Sequence, residues 1–413
     1  MTSSERRCRV LVVGTSNAVR KGGFADFLSR IVDMTNASIG ASTSVHSIHS
    51  TRDIDFSDYD YCILDFCANE EVRLRAGVAT WDSISPIVES LICRATAAKC
   101  LPVILILPRL IHDQPKTRDL YVELAERHGL PYFDGYELLA KLEARGVIKQ
   151  AMFADSAHNQ DWVAAIIAEV LAAGLQTLEP HWREAPWRAG RFATVALPAQ
   201  GGDFEIVQRA TSRFSGEFIR LNGPQTIAIP NLSGEAIIGL RLNLAQTNCF
   251  LRINDAVVDL RTEFWNVPKK PVVIAALLLS PAIGWKDGED GVMTLETMTA
   301  PDPSRPVLIA SEGGHPHSGP VTGEVEIAEI FVRLAEDVES LYKADALVPL
   351  LHEGVENLIR LGVSVCRAVR PEEADAEEAR KYAETMRERR ALRDERRRRA
   401  APALVESLSQ EQQ

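Results

Sequence analysis

Five residues of types that can carry out acyl transfer lie in four short polar segments of the chain. Ser16 stands in GTSN, Gly40 in ASIGASTS, Asn69 in FCANEE, and Asp155 with His158 in MFADSAHNQ. A serine becomes a nucleophile when a histidine takes its proton and a carboxylate orients that histidine. The backbone N–H groups of Ser16 and Gly40, with the amide of Asn69, can bind the oxyanion that develops in such a reaction.

Other interpretations of these segments are weaker or carry no chemistry. The stretch GTSNAVRKGG matches neither the dinucleotide pattern GxGxxG nor the phosphate-loop pattern GxxxxGK[ST]. Ala18 breaks the GxSxG pattern of the nucleophile elbow. The purely structural alternative is that Ser16, Asn69 and Asp155 cap helices, that Gly40 makes a turn and that His158 faces solvent.

The elements that must position these residues follow from alternating apolar runs and helical spacings. We predict strands over 9–13, 59–66, 101–108 and 130–134, and helices over 24–34, 84–99, 117–129 and 161–175. Continuously apolar strands separated by helices indicate a parallel sheet that is covered on both faces. In such a sheet the polar turns lie together beyond the carboxyl ends of the strands.

The four segments, in this order, resemble the blocks of the SGNH (GDSL-like) hydrolase family. The resemblance covers about residues 8–175 and implies a flavodoxin-like α/β fold. It also implies a catalytic Ser16–His158–Asp155 set and an oxyanion hole of Ser16, Gly40 and Asn69. The chain departs from the family pattern at Thr15, where Asp is usual, at Cys67, where Gly is usual, and at Glu70, where Asp is usual.

The rest of the chain divides into three further parts. Short strand-like runs separated by Gly, Pro, Asn and Asp predict an antiparallel β-sandwich over 191–333, after the SGNH-like domain 8–178. A helical segment is predicted over 334–370, and a charged tail over 371–413. The arginine-rich stretch 387–399 is either a solvated helix or a patch for an anionic partner.

Composition restricts the function classes. A formal net charge of −11 excludes attraction of the whole protein to nucleic acid, and no apolar run is long enough to span a bilayer. The start of the sequence shows no signal-peptide pattern, and the seven cysteines form no CxxC pair, so we expect a cytoplasmic protein with reduced thiols. His315 and His317 have no third ligand at a clear spacing. We therefore expect neither a metal nor an organic cofactor.

These observations predict a serine-dependent esterase that acts on an acylated carbohydrate or related small ester. An O-acyltransferase that passes the acyl group to a saccharide would use the same residues. A glycan-binding or assembly protein that retains the fold without catalysis is the third hypothesis. The sequence leaves the acyl group, the alcohol and the oligomeric state open.

Overall fold

The computed structural model describes residues 343–344 and residues 7–340, with the exception of 112–114, 179–181, 184–186, 198–203, 230–235, 263, 268–270, 285–292, 306 and 310–318. The charged tail 371–413, most of the predicted helical segment 334–370, and His315 with His317 lie outside the described residues. Within the described part, no helix is long and apolar enough to cross a membrane. The cysteines described there are free thiols.

The N-terminal domain is built on a five-stranded parallel sheet in the order β2-β1-β3-β4-β5. Its strands are β1 (Arg9–Gly14), β2 (Asp33–Asn36), β3 (Tyr61–Asp65), β4 (Leu101–Ile106) and β5 (Tyr132–Asp134). Every residue of β3 and β4 is buried. Because alternate side chains of a strand point to opposite faces, this burial requires cover on both faces of the sheet.

Eight helices connect and cover these strands: α1 (Ser16–Val19), α2 (Phe24–Leu28), α3 (Ser47–Ser50), α4 (Cys67–Ala76), α5 (Trp81–Ala97), α6 (Lys116–His128), α7 (Gly135–Glu143) and α8 (Asp161–Thr177). The α6 helix ends where the sequence predicted, because Gly129 takes the left-handed conformation at φ 62°. The helix predicted over 24–34 was too long. Its second half turns away at Ser29, and the chain enters the edge strand β2 at Asp33.

The second domain is the predicted β-sandwich. One sheet has the order β10-β15-β12-β13-β16, and the other has the order β14-β11-β17-β9-β8, with β7 also paired to β17. The strands are β7 (Trp187–Ala196), β8 (Glu205–Ala210), β9 (Ser215–Leu221), β10 (Thr226–Ile229), β11 (Ala236–Asn243), β12 (Phe250–Ile253), β13 (Ala256–Asp259), β14 (Ile274–Gly284), β15 (Met293–Met298), β16 (Val307–Ile309) and β17 (Val325–Ser340). All described pairings in it are antiparallel except that of β13 with β16. A buried aliphatic cluster drawn from both sheets fills the space between them.

The prediction that a helical segment begins at 334 was wrong for the residues that the structure describes. Strand β17 continues to Ser340, and its last four residues pair with 187–190 in β7. Two further short strands, β6 (Trp182–Arg183) and β18 (Lys343–Ala344), pair with each other. The helical spacing of 334–340 is overridden by backbone pairing with a segment far away in sequence, which local propensity does not encode. The sandwich domain therefore begins before residue 191 and extends beyond residue 333.

The two domains share a continuous hydrophobic core. Four sandwich residues belong to the same buried cluster as the N-terminal sheet, namely Ile238, Ala276, Leu278 and Phe331. They pack towards the 3₁₀ turn Ser44–His46 and towards α5. This turn continues the loop that carries Gly40, so the sandwich supports the N-terminal domain next to the predicted site.

His46 lies at this junction as a fully buried, neutral side chain. Its Nδ1–H donates to the Thr43 carbonyl oxygen at 2.6 Å, and no atom of the described residues makes a hydrogen bond of standard geometry with its Nε2. Burial lowers the pKa of His46 from 6.5 to about 4. As the pH falls, His46 therefore becomes protonated at a higher pH in the unfolded chain than in the folded protein. The free energy of unfolding therefore decreases as the pH falls from 6.5 to 4.

His46→Asn should remove this pH dependence, because the asparagine amide can still donate to Thr43 but does not titrate. The stability of the wild type relative to the variant should fall by up to about 3 kcal/mol between pH 7 and pH 4. Urea unfolding of both proteins at several pH values measures the difference. Parallel stability curves would contradict the assignment of a neutral, buried imidazole.

Candidate active site

Ser16, His158 and Asp155 form a continuous chain of hydrogen bonds at the carboxyl edge of the sheet. His158 Nδ1 lies 2.7 Å from Asp155 Oδ2, and His158 Nε2 lies 2.8 Å from Ser16 Oγ. Because a carboxylate can only accept, the proton of the imidazole sits on Nδ1 and leaves Nε2 free to accept the Ser16 hydroxyl proton. Ser16 comes two residues after β1 and begins α1, so the sheet fixes its position.

The Asp155 carboxylate is held in place by its own loop. Its Oδ1 accepts the backbone N–H groups of Ala157 and His158 at 2.8 and 2.9 Å. Burial alone would raise the pKa of Asp155, but these hydrogen bonds and the neighbouring His158 outweigh it and lower the pKa below 3.8. Asp155 is therefore ionised at neutral pH, with its side chain 56% exposed.

Two residues that the sequence analysis did not select tie this loop to the helix that carries Ser16. The Asn17 side chain donates to the Ala157 carbonyl oxygen at 3.3 Å. Arg20 donates to the Asn159 carbonyl oxygen and forms an ion pair with Asp161. Asn17 lies in the GTSN segment, so the sequence already pointed to its neighbourhood. No sequence pattern pointed to Arg20. Together they fix the distance between the serine and the histidine.

Gly40 passes directly beside the serine. A Cβ atom placed on Gly40 would lie 3.8 Å from Ser16 Cβ, so any side chain at this position would contact Ser16. The preceding residue, Ile39, donates its N–H to the Gly14 carbonyl oxygen at 3.2 Å, which anchors the loop to the end of β1. The next residue, Ala41, adopts a left-handed backbone at φ 55°. A non-glycine residue in this region needs support from its surroundings.

Asn69 lies in the first turn of α4 and reaches the same loop. Its side-chain Nδ2 donates to the Ser42 carbonyl oxygen at 2.8 Å. A carboxamide nitrogen carries two protons, so one holds the side chain in place and the second remains available as a donor. The structure therefore brings Ser16, His158 and Asp155 into direct contact and places Gly40 against Ser16. Asn69 joins the group through the Gly40 loop.

Comparison with known proteins bears on the fold. No family model matches the chain, and no curated protein matches it. Among solved structures, a two-domain esterase active on acetylated mannans aligns with a TM-score of 0.54 at 11% identity, over 80% of this chain and 92% of that one. The same esterase co-crystallised with mannopentaose gives a TM-score of 0.54 at 12% identity, over 80% and 91% of the two chains.

A GDSL-like lipase from Bacteroides thetaiotaomicron aligns at 13% identity with a TM-score of 0.30, over 43% of this chain and 91% of that one. The alignment with the two-domain esterase, in contrast, extends over both domains of the chain. The chain shares the two-domain fold of that esterase. The flavodoxin-like sheet and the following sandwich expected from the sequence are thereby confirmed.

A buried carboxylate lies directly beneath the turn that carries Ser16 in the N-terminal domain. Asp65 ends β3 beside Gly14, and a Cβ atom on Gly14 would come within 2.8 Å of Asp65 Cβ, so only glycine allows this approach. Asp65 is fully buried, and within the part of the chain that the structure describes its carboxylate oxygens make no hydrogen bond of standard geometry. Burial raises the pKa of Asp65 to about 7, and the adjacent Thr15 amide and hydroxyl offset only part of that effect.

Asp65→Asn should stabilise the protein at alkaline pH. The unfolded Asp65 ionises near 3.8 and the folded one near 7, so ionisation destabilises the folded wild type as the pH rises from 4 to 7. The variant should be more stable than the wild type by up to about 4 kcal/mol at pH 8, and the gap should close towards pH 4. Thermal and urea unfolding of both proteins across this range measure the gap. A constant gap, or a less stable variant at pH 8, would contradict the prediction.

Proposed function

We propose that the protein is a serine esterase that removes an acyl group from an acylated carbohydrate or related small ester. The hydrogen-bonded chain from Ser16 through His158 to Asp155 carries this proposal. It combines a nucleophile, a base in the required tautomer and an ionised carboxylate at one edge of the sheet.

The reaction follows from the positions of these groups. Ser16 Oγ attacks the ester carbonyl carbon while His158 Nε2 takes its proton, and the carbonyl oxygen becomes an oxyanion. The second amide proton of Asn69 and the N–H groups of Gly40 and Ser16 stabilise that charge. Collapse of the intermediate breaks the bond to the alcohol, which leaves with the proton from His158. Water, activated by the same histidine, then releases the acid from Ser16.

Two observations support a carbohydrate as the alcohol. The two-domain esterase that shares the fold is active on acetylated mannans. In addition, a cleft of about 440 Å³ extends from residues 36–39, which precede Gly40, to the turn between β8 and β9, which belongs to the sandwich. Its lining is mostly polar and includes Asn36, Ser38, Ser50, Ser212 and Arg213. Hydroxyl, amide and guanidinium groups of this kind suit a substrate with many hydroxyl groups.

The sandwich turn that borders the cleft is held in a fixed position. Thr211 N–H donates to the Phe214 carbonyl oxygen at 2.7 Å, which closes the turn. The Phe214 ring packs on His49 of the N-terminal domain and under the guanidinium of Arg241, 4.6 Å from its centroid. Glu329 joins both of these partners, because it accepts from His49 Nδ1 at 2.7 Å and pairs with Arg241 at 3.1 Å. These contacts hold the turn that carries Arg213 in place at the border of the cleft.

Ser16→Ala tests the nucleophile. We expect the substitution to lower hydrolysis of p-nitrophenyl acetate by at least about 10³-fold with little change in unfolding temperature. A fluorophosphonate should label Ser16 in the wild type. Ser29→Ala, a surface serine change, should leave the activity and the labelling unchanged. Turnover by Ser16→Ala at the wild-type rate would contradict the proposal. Supplying saccharide acceptors in the same assay shows whether the acyl group passes to water or to sugar.

Arg213→Ala tests the contribution of the sandwich. Loss of one charge-assisted hydrogen bond should raise KM for acetylated oligosaccharides by about tenfold. Turnover of p-nitrophenyl acetate should stay the same, because that ester does not reach the cleft. Arg305→Ala is the control, because Arg305 lies just before β16 of the other sheet and pairs with Asp255 and Asp302. Equal effects of the two variants on oligosaccharide hydrolysis would contradict a substrate contact by Arg213.

A further inference from the structure

Helix α4 carries two adjacent glutamates that are both completely buried. Glu70 and Glu71 each have 0% of their surface exposed. Buried carboxylates are costly unless they are hydrogen-bonded, so each must have a structural or functional reason. The partners of the two side chains differ, and that difference separates their roles.

Glu70 reaches the Gly40 loop and α6 at the same time. Its Oε1 accepts the backbone N–H of Ser44 at 3.1 Å. Its Oε2 accepts the hydroxyl proton of Tyr121, whose ring is 1% exposed and packs edge-on against Trp81. Tyr121 thus holds one oxygen of the Glu70 carboxylate, and the other oxygen holds the Gly40 loop at Ser44.

Glu71 makes no such contact with the loop. Its Oε2 accepts the N–H and the hydroxyl proton of Thr117, both at 2.8 Å, and its Oε1 accepts from Arg75. It therefore joins α4 to the start of α6. Glu71 serves as an internal control for Glu70, because it is the neighbouring residue with the same chemistry and the same burial.

Glu70 and Asn69 hold the loop at two successive points. Asn69 binds the Ser42 carbonyl oxygen, and Glu70 binds the Ser44 amide. Between Gly40 and these two points lies Ala41, with its left-handed backbone. A left-handed backbone at a non-glycine residue is maintained only where neighbouring contacts hold it, and these two hydrogen bonds hold the residues that follow Ala41.

We propose that Glu70, with Tyr121 behind it, is a positioning residue that sets the oxyanion site by fixing the Gly40 loop against Ser16. This inference rests on the proposed esterase function. Without the contact from Glu70 to Ser44, the loop loses one of the two hydrogen bonds that hold it to α4, and the Gly40 N–H moves relative to the oxyanion. A displacement of about 1 Å in such a site can cost about 10²-fold in rate.

The proposal predicts which substitutions of Glu70 are tolerated. In Glu70→Gln the amide oxygen can still accept from Ser44, and the amide nitrogen can donate to the Tyr121 oxygen. In Glu70→Asp the side chain is shorter by one methylene and cannot span both partners. We therefore expect Glu70→Asp to be the damaging change and Glu70→Gln to retain most of the activity.

The experiment compares Glu70→Asp with Glu71→Asp. Both shorten a buried glutamate on the same helix, so both should lower the unfolding temperature. Glu70→Asp should lower kcat on p-nitrophenyl acetate by about 10–100-fold, leave KM within about twofold, and leave the acid limb of the pH–rate profile in place. Glu71→Asp should leave kcat within about twofold. Tyr121→Phe, which removes one hydroxyl group, should reproduce a smaller loss of kcat if Glu70→Asp does not fold.

Amide hydrogen exchange provides a readout that does not depend on activity. Glu70→Asp should speed exchange at Ser44 by about tenfold or more, and Glu71→Asp should not. If the wild type hydrolyses no ester, the proposed function fails, and exchange at Ser44 still decides whether Glu70 holds the loop. Normal exchange and normal kcat in Glu70→Asp, or an equal loss of kcat in Glu71→Asp, would overturn the inference.

Discussion

The parallel pairing of β1 with β2 and β3 is the constraint on which the candidate site depends. Parallel strands end at one edge of a sheet, so the segments that follow them meet there whatever their separation in sequence. Ser16 follows β1, the Gly40 loop follows β2, and Asn69 follows β3. The loop that carries Asp155 and His158 leads into α8 at the same edge, so all five candidate residues lie there. The sheet thus brings these segments together, and the side-chain hydrogen bonds between them fix their exact positions.

The sequence alone predicted the features that depend on the local pattern of apolar and polar residues. The buried strands β3 and β4 read as continuous apolar runs, and their ends predicted where polar side chains would meet. Ser16 was selected because it follows the first predicted strand, and Asp155 with His158 because they precede the closing helix. The structure places the three side chains within hydrogen-bonding distance. Their catalytic roles remain predictions. The edge strand β2 escaped detection because its sequence, DMTN, is short and polar, as an exposed edge allows.

Other features depend on contacts that no local pattern encodes. Strand β17 was predicted to turn helical at 334, and its pairing with β7 keeps it extended to Ser340. The hydrogen bonds of Asn17 and Arg20 to the Asp155–His158 loop join residues about 140 positions apart. Glu70 looked like a conservative replacement of the usual Asp in the SGNH pattern. Only the folded chain shows that its length lets it reach Ser44 and Tyr121 together.

The central position of β17 has a consequence for the order in which the protein folds. The N-terminal sheet is complete once β5 has been synthesised, since all of its pairings lie within residues 9–134. The sandwich, in contrast, pairs its first strand, β7, with its last, β17. Loop closure between such distant segments is slow, and the pairing of β7 with β17 cannot be completed before residue 340 has left the ribosome. During synthesis, the apolar surface around the Ser44–His46 turn therefore stays exposed to solvent until the sandwich has folded. Aggregation of the chain is most favoured at this stage.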